Sequence, residues 1–284
     1  MQRSLGHQAG VANVLHNLGR VALGQDDYPG AQRWLEEAVA LWRTVGDSNG
    51  LAFSLLNLGR VALMMGHFDR ARERFQECLE LHQALHNRFG VALARVNLGQ
   101  VALHEGALED AAVTFAESEA VFREQGNKWG LSITVHFRAQ VALWRGDWPA
   151  ATAALAEAQA LFMEMDDPQG LADLAVTRGR LTRRQGQTSE AERCFAEALR
   201  RYLDQHARGA LAGALDGAAG VAVDQGRCPQ AVRLLAAAEA LRARIGAPLP
   251  PVEQAEQALL LADLRRRLAE ADFTGGLSCR SRCL

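Results

Sequence analysis

The sequence predicts an all-α fold: a right-handed α-solenoid (superhelix) of about six helix hairpins with a 40-residue period, plus a C-terminal capping helix. Three observations predict it. The phrase "NLGRVAL" fills Asn17 to Leu23 and again Asn57 to Leu63, then returns as "NLGQVAL" at 97–103 and "FRAQVAL" at 137–143. Small and bulky residues keep fixed columns: Ala31, Ala71, Ala111, Ala151, Ala191 and Ala231 are each followed four residues later by Leu35, Phe75, Phe115, Leu155, Phe195 and Leu235. Finally, Pro248, Pro250 and Pro251 interrupt the pattern, and one more apolar-basic helical stretch follows.

The elements take this order. Residues 1–9 read as the remnant of a preceding helix and its link, because "LGHQAG" (Leu5 to Gly10) lines up with "VGDSNG" (Val45 to Gly50); a frayed N-terminus is the alternative. Six repeats follow at 10–49, 50–89, 90–129, 130–169, 170–208 and 209–247. In the first, Val11, Leu15, Leu18 and Ala22 keep helical spacing over Gly10–Leu23, and Ala31, Leu35, Ala38 and Leu41 do so over Tyr28–Val45. Between the helices Gly66, Gly106, Gly146, Gly186 and Gly226 share a column that suits a left-handed helix end. Asp27 and Asp147 offer N-cap oxygens, and Ser189 with Glu192 spells a capping box. A second column, Gly10, Gly50, Gly90, Gly130 and Gly170, slipping to Gly209, reads as loop glycine between repeats. Gly19 and its counterparts Gly59, Gly99 and Gly179 are expected where helix axes approach closely. Residues 248–271 form the capping helix, and 272–284 a disordered tail. No hairpin of this kind buries its own apolar face, so the hairpins must stack.

These columns resemble the tetratricopeptide repeat, whose signature is a large residue, Leu-Gly, an aromatic position, then Ala-x-x-x-Phe. Leu15, Leu18, Gly19 and Ala22 match the first half, with alanine at the aromatic position; Ala31 with Leu35 and Ala71 with Phe75 match the second. The period here is 40 residues where the family's is 34. The stretch from Ala231 to Phe273 resembles the C-terminal repeat region of bacterial LuxR/MalT-type ATPase transcriptional regulators. That resemblance implies a sensory repeat region. It carries over neither ATPase nor DNA-binding activity, since the chain shows no GxxxxGK[ST] loop and no helix-turn-helix.

Composition narrows the function. The chain has 284 residues, formal net charge −2 and 23% charged residues, which gives no electrostatic footprint for direct nucleic-acid binding. No stretch reaches the ~20 apolar residues of a membrane span and no secretory leader is evident, so a soluble, cytoplasmic protein is expected. The five cysteines, Cys78, Cys194, Cys228, Cys279 and Cys283, form no disulfide framework or metal spacing. His82 and His86 stand i, i+4 without a further ligand. No constellation supports catalysis, a metal or a cofactor, so the expected role is a non-enzymatic protein- or peptide-binding scaffold.

In such a stack the first helix of each hairpin lines the inner groove. The residues left over from packing form rows there: Asn17, Asn57 and Asn97; Arg20, Arg60, Gln100, Gln140 and Arg180; and beside them His136 and Trp144. An amide both donates and accepts, so an asparagine in each repeat suits the backbone of an extended peptide, and arginine suits a carboxylate. The same asparagines also suit bonds within the stack, and the arginine-dense run 178–208 suits a solvated face balanced by Asp173, Glu190, Glu192 and Glu197. Two rivals to peptide binding stand: a small-molecule effector in the groove, and self-association into a homo-oligomer.

Overall fold

The computed structural model describes residues 2–205 and 207–268, with side chains from residue 7 onward. Among them are thirteen helices and no strand. They fall into two compact units divided inside α7, one ending at Thr134 and the other starting at Val135.

The first unit holds α1 (Gln2–Gly24), α2 (Tyr28–Val45), α3 (Ser48–Met64), α4 (Phe68–Ala84), α5 (Arg88–Glu105), α6 (Leu108–Glu124) and the beginning of α7 (Lys128–Arg145). Consecutive helices pack antiparallel as hairpins, and each hairpin packs on the next through its second helix. Two kinds of close approach hold them. Within a hairpin, Gly19 lies against Leu35, Gly59 against Phe75 and Gly99 against Phe115. Between hairpins, Gly50 lies against Trp42, Gly90 against His82 and Gly130 against Phe122. A side chain at any of these glycines would overlap its neighbour, which is why a residue costing ~1 kcal/mol in a helix is kept there.

The second unit holds the rest of α7, α8 (Trp148–Glu164), α9 (Pro168–Arg184), α10 (Thr188–Gln205), α11 (Arg208–Asp224), α12 (Cys228–Ile245) and α13 (Pro251–Arg267). The same contacts recur, with Gly179 against Phe195 and Gly170 against Phe162. Ala219, Ala222 and Val223 of α11 and Cys228, Ala231, Val232 and Leu235 of α12 form a core that Leu264 of α13 completes, itself fully buried.

Turn chemistry follows the repeat. Each hairpin turn places one residue at positive φ: Asp26 (φ 58) and glycines 66, 106, 146, 186 and 226 (φ 74 to 84). The links between hairpins do likewise with Gly46, His86, Gly126, Asp166 and Gly246 (φ 50 to 78). Asp27 accepts from the Gly30 amide and Asp147 from Ala150. Asp47, Asn87, Asn127 and Asp167 each accept from the glycine three residues on.

Three sequence expectations are corrected. The break between residues 1–9 and the first hairpin is absent, because α1 runs unbroken from Gln2 to Gly24. At the aligned position, Gly46 takes φ 78 and the Asp47 carboxylate caps α3; His7 replaces that carboxylate, so nothing ends or restarts the helix there. Ser189 is the second residue of α10 and cannot be its N-cap. The glycines at 50, 90, 130 and 170 are not loop residues but lie in the first turn of their helices. The tail 272–284, with Cys279 and Cys283, lies outside the described residues. So do 269–271 at the end of the expected capping helix.

One face of α1 differs from its counterparts. Val11, Val14, Leu18 and Val21 are exposed, at 38%, 59%, 42% and 57%. The corresponding Ser54, Leu58 and Val61 of α3 are buried beneath the preceding hairpin.

Candidate functional site

The residues singled out from the sequence all fall on first helices, but their surroundings differ. Asn17, Arg20 and Arg60 are exposed; Gln100, Gln140, Trp144 and Arg180 are half-buried; Asn57, Asn97 and His136 are buried. Asn57 donates its amide hydrogen to the Phe53 carbonyl at 3.1 Å, and Asn97 to the Leu93 carbonyl at 2.8 Å. Each thus spends one of its two amide hydrogens on the preceding turn of its own helix. The Asn97 oxygen is buried without a partner among the described residues. Asn17 has only a 3.5 Å contact to Asn13.

In the first unit, α1 and α3 enclose a cleft of ≈ 430 Å³ lined by Asn13, His16, Asn17, Arg20, Trp42, Gly50, Phe53 and Asn57. The His16 Nδ1 lies 2.9 Å from Ser54 Oγ and ties the two helices together. Burial, with the Arg20 charge beside it, holds the imidazole pKa below the ordinary histidine value. It is therefore neutral at pH 7. Arg20 and Arg60 make no ion pair among the described residues. Trp42 is 7% exposed, and its indole N–H has no acceptor among the described residues. A buried donor left unsatisfied costs about 1–3 kcal/mol. The cleft offers donors in Asn17 and Arg20 beside the rings of Trp42 and Phe53.

In the second unit, His136, Gln140, Trp144 and Arg180 are brought close together. His136 Nε2 lies 2.8 Å from Thr177 Oγ1 and 3.3 Å from Gln140 Nε2. Burial pushes its pKa down to about 4. The Trp144 ring carries the Arg184 guanidinium over its face at 4.4 Å and that of Arg180 at 5.9 Å. Arg180 itself is clamped by Glu253, through two bonds of 2.9 and 2.7 Å. The balance expected for the arginine run is thus redrawn. Arg180, Arg183 and Arg184 are neutralised by Glu253, Glu256 and Asp224, while Glu190 and Glu197 pair locally with Arg193 and Arg201.

Sequence reasoning missed Trp42 and the two glutamates. Trp42 was legible: with His82, Phe122, Phe162 and Tyr202 it makes a ring column at the 40-residue spacing. The Arg180–Glu253 pairing spans 73 residues and breaks the period, so no column carries it. Among the described residues no group of three His, Cys, Asp or Glu could hold a metal, and no helix is long and apolar enough to cross a membrane.

Comparison with known proteins agrees with the hairpin architecture. Residues 10–84 match one tetratricopeptide repeat model and residues 56–126 a second. The chain thus carries tetratricopeptide-type repeats over 10–126. No curated protein matches it in sequence. Among solved structures it is similar to the apo form of RapI, with TM-score 0.68 and 13% identity over 83% of this chain and 84% of that one. It is also similar to a Rap protein complexed with Competence and Sporulation Factor (TM-score 0.58, 13% identity, 77% of this chain and 66% of that one). BtubC (BKLC) from P. vanneervenii aligns with TM-score 0.55 and 18% identity over 79% and 92% of the two chains. At these identities the likeness is one of fold.

Proposed function

We propose that this chain is a non-enzymatic scaffold whose α1–α3 cleft receives an extended segment of a partner protein. The observation that carries this reading is the cleft itself, where the unpaired Arg20 and the exposed Asn17 amide stand beside the rings of Trp42 and Phe53. Backbone carbonyls and a carboxylate are the acceptors that this set of donors fits. Further support comes from the Rap protein of similar fold, solved in complex with Competence and Sporulation Factor. On the same reading the scaffold serves as the sensory repeat region of a bacterial signalling or transcription-control system, which rests on the resemblance of 231–273 to such regulators.

The test starts from a displayed library of random peptides selected on the purified chain. A selected peptide should bind the Asn17→Ala and Arg20→Ala chains at least about tenfold more weakly. Both positions are exposed, so melting temperature should not change. A library that yields no binder, or binders indifferent to both substitutions, rejects the cleft. In the second case a metabolite that raises the melting temperature would favour effector sensing instead.

A second reading has its own observation. The exposed stripe of Val11, Val14, Leu18 and Val21 suits a second copy of this chain packed α1 against α1. Sedimentation of the intact chain and of Leu18→Glu tests it: a dimer that the substitution dissociates supports self-association, and a monomer in both excludes it.

A further inference from the structure

Helix α13 is held at its two ends by different forces. Its C-terminal half is anchored by Leu264, the one fully buried side chain of the helix, with Leu260, Leu261 and Leu268 partly buried beside it. Its first turn, where Val252 is only partly buried, is gripped electrostatically. Arg180, Arg183 and Arg184 project from one face of α9 at i, i+3 and i+4. Glu253 takes the Arg180 fork, and Glu256 bridges Arg183 at 3.0 Å and Arg184 at 2.8 Å. The receiving surface is shaped for this. The Arg183 guanidinium lies flat on Gly220 of α11, where a methyl group would come within 2.6 Å of it, and Asp224 fixes its other edge at 2.7 Å. Arg184 is braced by the Leu143 carbonyl at 3.0 Å and by the Trp144 ring. Two of the three guanidiniums, those of Arg183 and Arg184, thus stand preorganised by residues outside α13.

Around this grip α13 is loosely seated. A cleft of ≈ 590 Å³ stays open along it, lined by Leu235, Arg242, Leu249 and Leu261 among others. Leu259 is 74% exposed. The connection from α12 is the non-helical segment 247–250, which leaves the helix tethered but not packed along its length.

We propose that the Arg180–Arg183–Arg184 face of α9 is a binding site for an acidic protein segment bearing two carboxylates one helical turn apart, and that α13 is its tethered occupant. Glu253 and Glu256, spaced i, i+3, show in the structure what the site accepts. Tethering gives this occupant a high effective concentration, so an incoming segment binds weakly until α13 lets go. The site lies in the second unit, and its test does not depend on the α1–α3 cleft.

The experiment uses a synthetic peptide with the sequence of residues 250–268, added in trans. It should bind the full chain carrying Glu253→Gln and Glu256→Gln at least about tenfold more tightly than the parent chain. A peptide with both glutamates replaced by glutamine should not bind either chain. In the parent, adding the 250–268 peptide should speed hydrogen exchange of amides 252–267 while those of 208–224 stay protected. The double variant keeps Leu264 and should remain folded. Should it not, the parent alone decides: raising salt from 50 to 500 mM should speed exchange in 252–267 selectively. Equal peptide affinity for parent and variant, or exchange in α13 indifferent to peptide and salt, would make α13 a fixed end cap and overturn the proposal. So would capture of a short oligonucleotide in place of the peptide.

Discussion

A methyl group placed on Gly50 would lie 2.6 Å from the Trp42 indole, inside the contact distance of any real carbon pair. The indole fills the junction between the first two hairpins, packed with Ala12 and Ala38. Gly50→Ala therefore forces the ring or α3 to move, and overpacking of this kind costs about 1–3 kcal/mol. Gly10 occupies the same column, but nothing lies within 4 Å of where its methyl would go. Gly10→Ala should be neutral or stabilise by up to ~1 kcal/mol through helix propensity. Urea titrations of the two variants against the parent chain should move in opposite directions or, for Gly10, not at all.

That contrast also shows what the sequence could reveal. Periodic columns made the helix hairpins legible, because each column repeats one packing problem: glycine facing a bulky residue, glycine ending a helix, aspartate or asparagine capping the next. The column at Gly10 and Gly50 was visible as a column, but its purpose was not, since the ring it faces lies eight residues earlier on another helix. The candidate rows were legible only as surplus polar residues. Whether an asparagine on such a row is exposed, like Asn17, or turned onto its own helix, like Asn97, depends on the neighbouring hairpin, and the letters are the same. The pairing of α9 with α13 has no periodic signature at all.

Tyr202 donates its hydroxyl proton to Asp173 Oδ1 at 2.6 Å, and Gln169 donates to the same oxygen at 3.1 Å. Burial nevertheless pushes the Asp173 carboxyl up to about 6, against a downward pull from those two bonds. Tyr202→Phe removes one of the bonds and leaves the burial. The Asp173 pKa should then rise further, on the order of one unit. A carboxyl-carbon NMR titration of parent and variant reads this directly, and an unchanged midpoint would mean the hydroxyl does not stabilise the carboxylate.

Cys78 and Cys194 are buried, and burial pushes their thiols up to about 12 and about 11. Since the thiolate is the reactive form, both should be inert in the folded chain at pH 8. With a maleimide reagent, peptide mapping should find these two positions unlabelled in buffer and fully labelled in 6 M guanidinium. Labelling in guanidinium should be more than about a hundredfold faster than in buffer if it needs unfolding.

His136 gives the fold a pH dependence whose sign can be worked out. Buried beside Phe162 and Thr177, it stays neutral until its folded pKa of about 4, whereas the unfolded chain protonates it at the ordinary histidine value of 6.5. Between those values the unfolded state holds the extra proton. The contribution of neutral His136 is therefore whole above pH 6.5 and is lost as pH falls toward 4, by up to ~1.4 kcal/mol per pH unit and on the order of 3 kcal/mol in total. Asp173 works the other way, because its folded pKa of about 6 lies above the ordinary aspartate value of 3.8. The folded state holds that proton, so its contribution grows as pH falls from about 6 to about 3.8. The two partly cancel in the parent chain, which is why the parent's pH profile alone does not isolate either. His136→Asn removes one and leaves the other. Unfolding free energies of the two chains, measured in steps from pH 7 to pH 4, should diverge at high pH and converge as pH falls. Parallel curves across that window would mean that His136 does not reside in the fold as a buried neutral ring.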